Sequence, residues 1–508
     1  MTLHREPMAN VDCACLRMDD PTNLMMITGV LTFSTPLGYE QARQVIEERL
    51  LKFARFRQRA CMPHSTLGLP HWEDDPNFDI KEHLRRETLP PPGDQQALQQ
   101  LVSQLMSVQL NPVRPMWQFH LIEDYDGGSA LIARLHHCIA DGLALVAVLL
   151  SLTDTAGATA PLIRPTRPAR SRRSRGRVAR IVRTARSLAD DLVHESLVTV
   201  RDPRRVVDLT RLGAGGVTRL VQILLRQPDP RTIFKGPLGI DKRAAWSQPL
   251  RLADVKAVSQ VMGGTINDVL LTAVAGGLRN YLLQRGEPVD DLSFHAVIPV
   301  NLRPLDEPLS LGNKFGLVFL SLPIGIADPL ERMEALKAHM DALKGSPEAL
   351  AIYGLLNVVG MAPVEVENLL VTIFGTKATG VMTNVPGPRE QLYLAGSPLR
   401  EVMFWVPQSG RLGLGVSIIS YNGQVLVGIA TDAGLIPDPE AIVAGYEQSF
   451  AEMMALFETI RADGQAPPAV VVAPARVIRC QAMTRAGGRC RNRAQPDAIY
   501  CHVHAADR

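Results

Sequence analysis

The chain has 508 residues, of which 46% are hydrophobic, and a formal net charge of +3 at pH 7. That length exceeds an ordinary single domain, and the apolar fraction is large enough for sizeable cores. Four scattered cysteines lack the spacing of a disulfide framework, residues 1–12 lack the apolar segment of a secretory signal, and no apolar run reaches the length of a membrane span. These features argue against a secreted disulfide scaffold and an integral membrane protein, and they predict a cytoplasmic protein with two domains and attachments.

The first elements alternate strands with amphipathic helices. Strands are predicted at 25–33, within 55–72 and at 116–124, and helices at 40–53 and 97–110. Asp126, Gly127 and Gly128 have the composition of a hairpin turn that leads to the next strand. Trp117, near the start of the strand before this turn, is most simply a core residue.

The strand predicted over 129–137 ends in two histidines, followed by an aspartate and a glycine. Because alternate residues of a strand face opposite ways, His136 and His137 point to opposite faces. Gly142 breaks the strand, and residues 143–152 are apolar nearly all round, which is typical of a buried helix. A histidine at the end of a rigid element is well placed as a general base, since its pKa lies near the working pH. The chain carries no Gly-x-Ser-x-Gly or His-Glu-x-x-His motif, so we expect a base that acts without a covalent intermediate.

Residues 164–186 contain ten arginines and no acidic residue. They belong to a basic linker, and amphipathic helices are predicted at 178–198 and 206–225. Two interpretations stay open: a solvated crossover between two domains, or a crossover that also holds the chain on anionic lipid. Nucleic acid is not an expected partner, because the segment lacks the interleaved aromatic side chains that such binding uses.

The second half begins near residue 240. Helices are predicted at 252–262, 267–284, 328–343 and 439–460, and strands at 294–299, 315–322, 379–383, 412–420 and 424–431. Thr265 is predicted to cap the second of these helices, which puts Asn267 and Asp268 in its first turn, where either can simply complement the helix end. The apolar stretch 351–364 contains Pro363 and is predicted to be a buried or interfacial helix. Asn422 and Gly423 predict a hairpin turn.

The end of the chain has a composition of its own. A tether rich in proline and alanine spans 463–478, and the remaining tail, 479–508, contains Cys480, Cys490, Cys501 and His504. Three thiolates and one imidazole can bind one zinc ion tetrahedrally, and so short a segment would need a metal to fold. Only the last pair has the close spacing of common zinc sites, and His502 competes with His504. Three free thiols on a disordered tail are therefore an equal alternative.

The histidine segment resembles a known signature. His136 and His137, followed after three residues by Asp141 and Gly142, match the His-His-x-x-x-Asp-Gly pattern of acyl-CoA-dependent acyltransferases and peptide-synthetase condensation domains. Five further segments are similar, in the same order, to elements of bacterial wax ester synthase/diacylglycerol acyltransferases: 114–117, 264–268, 299–303, 312–313 and 383–388. The resemblance covers roughly residues 5–460. Asn111 departs from the family, which usually has aspartate there, so an ion pair at that position is in doubt.

The resemblance implies an α+β fold of two chloramphenicol-acetyltransferase-like α/β sandwich lobes with a tunnel between them. The lobes would span 1–160 and 240–462, with the crossover linker at 161–239. The resemblance implies His137 as the general base and Asp141 as a residue that orders the loop, with His136 more structural than catalytic. It also suggests that Asn267 and Asp268 reach the site, where Asn267 would orient His137 or donate to the substrate carbonyl oxygen.

The expected function is transfer of a fatty acyl group from acyl-CoA to diacylglycerol or a long-chain alcohol, at the inner membrane face or on lipid bodies. No cofactor is expected for catalysis, and zinc is expected only in the tail. One alternative is a condensation-type enzyme that uses carrier-bound acyl groups, although the chain has no obvious carrier domain. Another is a non-catalytic protein that binds lipid surfaces. The sequence ranks neither the acceptors nor the acyl chain lengths, and it leaves the oligomeric state open.

Overall fold

The computed structural model describes residues 5–63, 70–155, 222–303 and 311–462, except the single residues 224, 345, 363, 409 and 411. Residues 1–458 form one compact unit, and residues 459–508 are assigned to a second. The predicted helices of the linker lie outside the described residues, apart from the last residues of the second helix. The four zinc ligands predicted in the tail also lie outside them.

The chain forms strands throughout its described length. They are β1 (Arg5–Pro7), β2 (Met26–Phe33), β3 (Gln58–Cys61), β4 (His71–Asp74), β5 (Leu84–Glu87), β6 (Trp117–Tyr125), β7 (Gly128–His136), β8 (Asp154–Thr155), β9 (Lys242–Trp246), β10 (Leu250–Arg251), β11 (Phe294–Asn301), β12 (Phe315–Leu322), β13 (Gly380–Pro386), β14 (Leu392–Leu394), β15 (Ser397–Trp405), β16 (Leu414–Tyr421) and β17 (Gln424–Asp432).

Helices separate and cover these strands. They are α1 (Asn10–Arg17), α2 (Tyr39–Arg49), α3 (Ile80–His83), α4 (Gln95–Met106), α5 (Gly142–Leu152), α6 (Leu252–Val261), α7 (Ile266–Gln284), α8 (Pro329–Leu343), α9 (Glu348–Val359), α10 (Val364–Thr376) and α11 (Pro439–Ala462). Several begin at side-chain caps: Asp94 accepts from the N–H of Ala97 at 2.9 Å to start α4, and Asp328 accepts from that of Leu330 at 2.8 Å to start α8.

The first seven-stranded sheet has the order β5-β6-β7-β2-β15-β14-β8. β6 and β7 form the predicted hairpin, in which Asp126 and Gly127 adopt φ angles of 49° and 72°. β7 pairs antiparallel with β2, and Met26 lies opposite His136. The other edge of β2 pairs with β15, so strands from the second half of the chain complete a sheet that the first half begins.

The second seven-stranded sheet contains β10, β17, β16, β13, β11 and β12 in that order, with β9 also paired to β17. β13 runs parallel to both of its neighbours, whereas β16 and β17 form an antiparallel hairpin. The hairpin turn is the predicted one, with Asn422 and Gly423 at φ angles of 47° and 78°. A separate three-stranded sheet has the order β1-β4-β3.

β7 is buried on both faces, and its alternation sorts its side chains between two cores. Leu131 and Leu135 pack in the cluster that contains residues of α2 and α5. Ile132 packs in another cluster, with residues of α4 and with Trp405 of β15. Because every residue of β7 is buried, the strand and the histidine that follows it are held firmly.

Two predictions from sequence need correction. The apolar stretch 351–364 is not one helix: α9 ends at Val359, and α10 begins at Val364, directly after Pro363, a residue that fits the start of a helix and breaks its interior. The range 240–462 does not hold one lobe's strands alone, because β14 and β15 pair within the first sheet. In the part of the chain that is described, no single helix has both the length and the apolar composition to cross a bilayer, and only α6 and α7 together, bent by 96°, pass such a test.

Candidate active site

His137 lies one residue beyond β7, where the first sheet ends. Its backbone N–H donates to the carbonyl of Met25 at 2.7 Å, which continues the pairing with the segment before β2. The residue is only 8% exposed. Its ring centre lies 5.3 Å from that of Phe315 on β12, in an edge-on arrangement, and its Nδ1 lies 3.7 Å from the Sγ atom of Cys15 on α1. Elements from both halves of the chain therefore enclose this imidazole.

Burial determines the protonation state of His137. It lowers the pKa of the imidazole to about 4, although the negative charge of Asp141 opposes the shift. Burial also raises the pKa of Cys15 well above its ordinary value, so Cys15 stays a thiol. At neutral pH the imidazole is uncharged and can accept a proton. In the tautomer whose Nδ1–H faces the sulfur of Cys15, the free lone pair is on Nε2.

His136 points the other way, as the strand alternation predicts. Its Nε2 lies 3.6 Å from Oδ1 of Asp19, and its Nδ1 accepts from the N–H of Cys138 at 3.2 Å. Burial alone would raise the pKa of Asp19, but its contact with His136 and the N–H of Met25, which donates to it at 2.7 Å, lower this pKa below its usual value. These contacts fit an architectural role for His136 and leave His137 alone on the face that Cys15 and Phe315 enclose.

Asp141 joins the histidine loop to the second half of the chain. Its Oδ1 accepts from the N–H of Ala144 at 3.0 Å, which caps α5, and its Oδ2 accepts from the N–H of Lys314 at 3.0 Å. Oδ2 also forms an ion pair with Arg303, and both side chains of this pair are buried. Arg303, the last residue of the recognised segment 299–303, is thus paired with the acid of the histidine loop. The arrangement orders the loop that carries His137.

A second connection runs through Gly312. Ala140 and Gly312 form an isolated parallel bridge, in which the N–H of Gly312 donates to Ile139 at 3.2 Å. Gly312 has a φ of 104°, a backbone conformation that residues other than glycine rarely adopt. Gly142 begins α5, and an added Cβ there would meet no atom within 4 Å, so the space beside it is open.

Asp12 and Asn313 form a part of the site that the sequence did not identify as such. The backbone N–H and the side-chain amide of Asn313 donate to Oδ1 of Asp12 at 2.9 and 2.8 Å, and that amide also lies 2.8 Å from the carbonyl oxygen of His137. Burial raises the pKa of Asp12 to about 6, despite the bonds from Asn313. Asn313 belongs to one of the recognised segments, whereas Asp12 stands in an unremarkable short helix and gave no signal.

Asn267 and Asp268 take different roles in the first turn of α7. Asp268 and Thr265 form a capping box: the N–H of Asp268 donates to the hydroxyl oxygen of Thr265 at 3.2 Å, and Oδ2 of Asp268 accepts from the N–H of Thr265 at 2.7 Å. The amide oxygen of Asn267 accepts from the side chain of Asn384 on β13. The bond of Asn267 thus goes to Asn384 rather than to His137, because the cap directs the first turn of α7 toward β13.

A cleft opens beside these two asparagines. Its wall combines apolar side chains with the amides of Asn267 and Asn384 and the hydroxyl of Ser420, and its lining residues are Leu252, Ile266, Asn267, Leu270, Asn384, Pro386, Ile418, Ser420 and Val425. Since the oxygen of Asn267 is already engaged, its NH2 group is the part that can donate to a carbonyl of a ligand.

Three other residues that the sequence analysis named make structural contacts. Trp117 is fully buried, and its Nε1 donates to the carbonyl of Phe56 at 2.9 Å, which confirms the simpler prediction for this residue. Arg114 pairs with the buried carboxylate of Asp75 at 3.2 Å. Asn111 stands where the family usually has aspartate. Its side-chain oxygen accepts from the N–H of Val113 at 3.1 Å, so its contact is a local turn.

The sequence matches two family models in the order of the chain. Residues 8–270 match the wax ester synthase/diacylglycerol acyltransferase catalytic domain, and residues 311–454 match the C-terminal domain of the same family. The chain belongs to the wax ester synthase/diacylglycerol acyltransferase (WS/DGAT) family. This confirms the resemblance drawn from the motifs, and it makes the protein an acyltransferase of the kind that forms triacylglycerols and wax esters.

Relatives of this WS/DGAT chain align over nearly its whole length. A protein of Mycobacterium tuberculosis whose name describes it as a diacylglycerol O-acyltransferase is 31% identical over 462 residues, which cover 88% of this chain and 96% of that protein. A second protein from the same species, named with the same activity, is 28% identical over 418 residues. The aligned part covers 81% of this chain and 87% of that protein.

Solved structures show the same WS/DGAT fold. The wax ester synthase/diacylglycerol acyltransferase from Marinobacter aquaeolei superposes with a TM-score of 0.63 at 23% identity, covering 89% of this chain and all of that one. The first condensation domain of the calcium-dependent antibiotic synthetase gives 0.55 at 14% identity, covering 92% of this chain and 97% of that one. The predicted fold class of two acyltransferase-like lobes is thereby confirmed.

Proposed function

We propose that this WS/DGAT enzyme moves a fatty acyl group from acyl-CoA to the hydroxyl of diacylglycerol or a long-chain alcohol, with His137 as the general base. The observation that carries the proposal is the imidazole itself: it is buried, neutral at physiological pH, and enclosed by residues from both halves of the chain. Substrates would reach it through the predicted tunnel between the lobes.

The chemistry requires one proton carrier. Nε2 of His137 takes the proton of the acceptor hydroxyl as that oxygen attacks the thioester carbonyl, which gives a tetrahedral oxyanion. The carbon–sulfur bond then breaks, and the imidazolium returns the proton to the departing thiolate. Burial favours this cycle in one respect: a histidine that rests uncharged is ready to accept a proton at neutral pH, whereas a charged one is not.

Asp141, Asp12 and Asn313 would act through His137 and not on the substrate. The buried pair of Asp141 and Arg303 fixes the loop, and Asn313 ties the backbone of His137 to α1. These contacts hold the base in a fixed position relative to the substrate. Such orientation lowers the barrier of the reaction. His136 would hold the other face through Asp19.

Asn267 would contact the acyl donor. Its amide oxygen accepts from Asn384, and the residue lines a small cleft together with apolar side chains and Ser420. We propose that the NH2 group of Asn267 donates to the carbonyl oxygen of the substrate, which is the second of the two roles that the resemblance suggests for it.

An apolar surface supports contact with lipid. Of the eleven large hydrophobic residues that are exposed in the described part of the chain, five lie between residues 358 and 369, with exposures of 43% to 61%. They are Val358, Met361, Val364, Val366 and Leu369, and we call them the α9–α10 patch. Apolar residues gathered in this way are typical of surfaces that meet a membrane or another protein. We propose that the α9–α10 patch rests on the membrane or the lipid body that supplies the acceptor.

A product assay tests the proposed function. Purified protein is incubated with palmitoyl-CoA, diacylglycerol and hexadecanol together, without a carrier protein, and the esters are separated and identified by mass spectrometry. We expect triacylglycerol and wax ester, and no ester from the His137→Ala variant, whose fold is checked by circular dichroism. Ester formation only when the acyl group is supplied on a carrier protein would favour a condensation-type reaction. No ester with any donor, alongside intact liposome binding, would favour a lipid-surface protein.

A further inference from the structure

The three-stranded sheet carries a thiol, an imidazole and a carboxylate on one face. Cys61 on β3 and His71 on β4 are direct cross-strand partners. Glu73 follows His71 by two residues on the same strand, so its side chain lies on the same face. One ligand atom from each of the three residues lies within 4.8 Å of those of the other two. None of these residues belongs to the site around His137 or to the cysteines of the tail.

We propose that Cys61, His71 and Glu73 bind one zinc ion. Oε2 of Glu73 lies 3.5 Å from Nε2 of His71 and 3.9 Å from Sγ of Cys61. Zinc bonds of about 2.0–2.3 Å in tetrahedral geometry place neighbouring ligand atoms about 3.3–3.8 Å apart. The two distances from Glu73 are thus close to those that the ion requires, and the atoms of Cys61 and His71 lie within 4.8 Å of each other.

The chemistry of these side chains favours zinc over harder cations. A thiolate and an imidazole select a borderline-soft ion, whereas magnesium and calcium take oxygen ligands. Nε2 of His71 is shielded from solvent, and among the described residues its polar neighbour is the carboxylate of Glu73 at 3.5 Å, which is long for a hydrogen bond. Coordination would use the lone pair of this nitrogen. Three protein ligands leave the fourth position of the ion for water.

Two arginines compete for the carboxylate. Arg5 and Arg59 contact Glu73 at 3.1 and 3.4 Å, and their side chains are 67% and 31% exposed. Glu73 itself is buried, but Arg5 is mostly exposed, so this arginine can turn toward solvent when a cation takes its place. Their charges nevertheless oppose zinc. Removing them should therefore tighten zinc binding, whereas it would only weaken a plain ion-pair cluster.

Binding would also release a proton. Zinc binds the thiolate form of cysteine, so the thiol of Cys61 must lose its proton as the sulfur–zinc bond forms. The affinity should therefore fall as the pH is lowered.

The ion would link β3 to β4 at the two ends of their connecting loop. β1 pairs with β4 through Pro7 and His71 and leads directly into α1, which carries Asp12 and Cys15.

The test uses the full-length chain with Cys480, Cys490 and Cys501 changed to serine, so that the tail cannot hold zinc. Zinc content is measured by mass spectrometry and affinity by competition with a chelator, and cobalt(II) serves as a spectroscopic probe of thiolate ligation. We expect one equivalent of zinc and a thiolate-to-cobalt charge-transfer band. Cys61→Ser and His71→Gln should each weaken binding by at least about tenfold, the loss that even indirect perturbation of a metal site causes, and Cys61→Ser should remove the band.

Two further variants sharpen the result. Arg59→Gln should increase the affinity, and Cys13→Ser, which changes a buried cysteine elsewhere, should leave it unaltered. Circular dichroism of each variant shows whether it is folded, and His71→Gln keeps the test valid if Cys61→Ser is not. The proposal is overturned if the tail-serine protein binds no zinc, or if folded Cys61→Ser and His71→Gln proteins bind it as tightly as their parent. Neither result would affect the proposal for His137, which the ester assay tests separately.

Discussion

Two buried carboxylates show how differently this protein treats the same chemical group. Asp141, in the loop after β7, has bonds on both oxygens and a buried ion pair with Arg303. Glu367, on α10, is completely buried, yet neither of its oxygens has a hydrogen-bond partner among the described residues. Burial raises the pKa of Glu367 to about 7, with Arg17 acting in the opposite direction. The first carboxylate fixes the loop that follows His137, and the second destabilises the fold when it is ionised.

The surroundings of each carboxylate explain the difference. The loop of Asp141 lies where both halves of the chain meet, so backbone donors and an arginine converge on it. Glu367 is the one fully buried residue of α10, a helix that exposes Val364, Val366 and Leu369 along with the polar Glu365 and Asn368. The comparison teaches that backbone donors and an arginine order the region around His137, whereas α10 buries an acid to which none of the described residues donates.

The largest effect on stability should come from Asp141→Asn. The change removes the charge of Asp141 from its buried ion pair with Arg303, and breaking a buried pair by removing one partner costs about 3–5 kcal/mol. We expect the free energy of unfolding, measured by urea denaturation, to fall by that amount, together with loss of ester formation. The matched control is Asp341→Asn, which removes an exposed pair with Lys344 and should change stability little. Equal effects of the two changes would mean that the pair with Arg303 does not organise the loop.

Glu367→Gln should have the opposite sign. Because the folded-state pKa of Glu367 is about 7 and its ordinary value is 4.5, the wild-type protein loses stability as the pH rises through that interval. The neutral side chain avoids this loss. We expect the variant to be more stable at pH 8 by about 3 kcal/mol, the free energy that corresponds to a pKa of about 7 in place of 4.5, with a much smaller gain at pH 5. Glu365→Gln, an exposed neighbour on α10, is the control. A gain that does not depend on pH would show that the charge of Glu367 is not its cause.

The smallest effect should appear on lipid binding alone. Val366→Ser with Leu369→Ser removes apolar area from the α9–α10 patch, and we expect liposome affinity to fall at least about tenfold, since burying one such side chain is worth about 1.5–3 kcal/mol. Stability should hardly change. The control is Val108→Ser with Val113→Ser. These two valines are 55% and 61% exposed and lie outside the patch. Equal binding of both double variants to liposomes would exclude the patch as the contact surface.

Much of the fold could be predicted from local sequence. The alternation of β7, the apolar α5, the turns at residues 126–127 and 422–423 and the cap at Thr265 all follow from short-range patterns, and all are present. The pairing of β15 with β2 was not predictable in this way, because it joins segments more than 350 residues apart and no local preference specifies a partner. α10 was missed because its exposed residues are both apolar and polar and its buried residue is an acid, so it has no amphipathic pattern.

The candidate site likewise contains residues that local sequence predicts and residues that only tertiary contacts identify. His137 could be identified because a strand, a turn and a motif coincide there. The partner of Arg303 could not, since it depends on how two loops from different halves meet. Asp12 and Cys15 lie in an eight-residue helix without any distinguishing pattern, and only the tertiary structure brings them to His137. The roles of Asn267 and Asp268 needed the structure too, because the sequence allows both a cap and a ligand contact.

The most direct test of this account compares the two adjacent histidines in one assay. His137→Ala and His136→Ala proteins, each shown to be folded by circular dichroism, are given saturating palmitoyl-CoA and diacylglycerol, and the initial rate of triacylglycerol formation is measured. The account predicts that His137→Ala is slower by about 100-fold to 10,000-fold, the usual loss on removing a general base, whereas His136→Ala loses far less. A His137→Ala enzyme that keeps the wild-type rate, or a larger loss in His136→Ala, would contradict it.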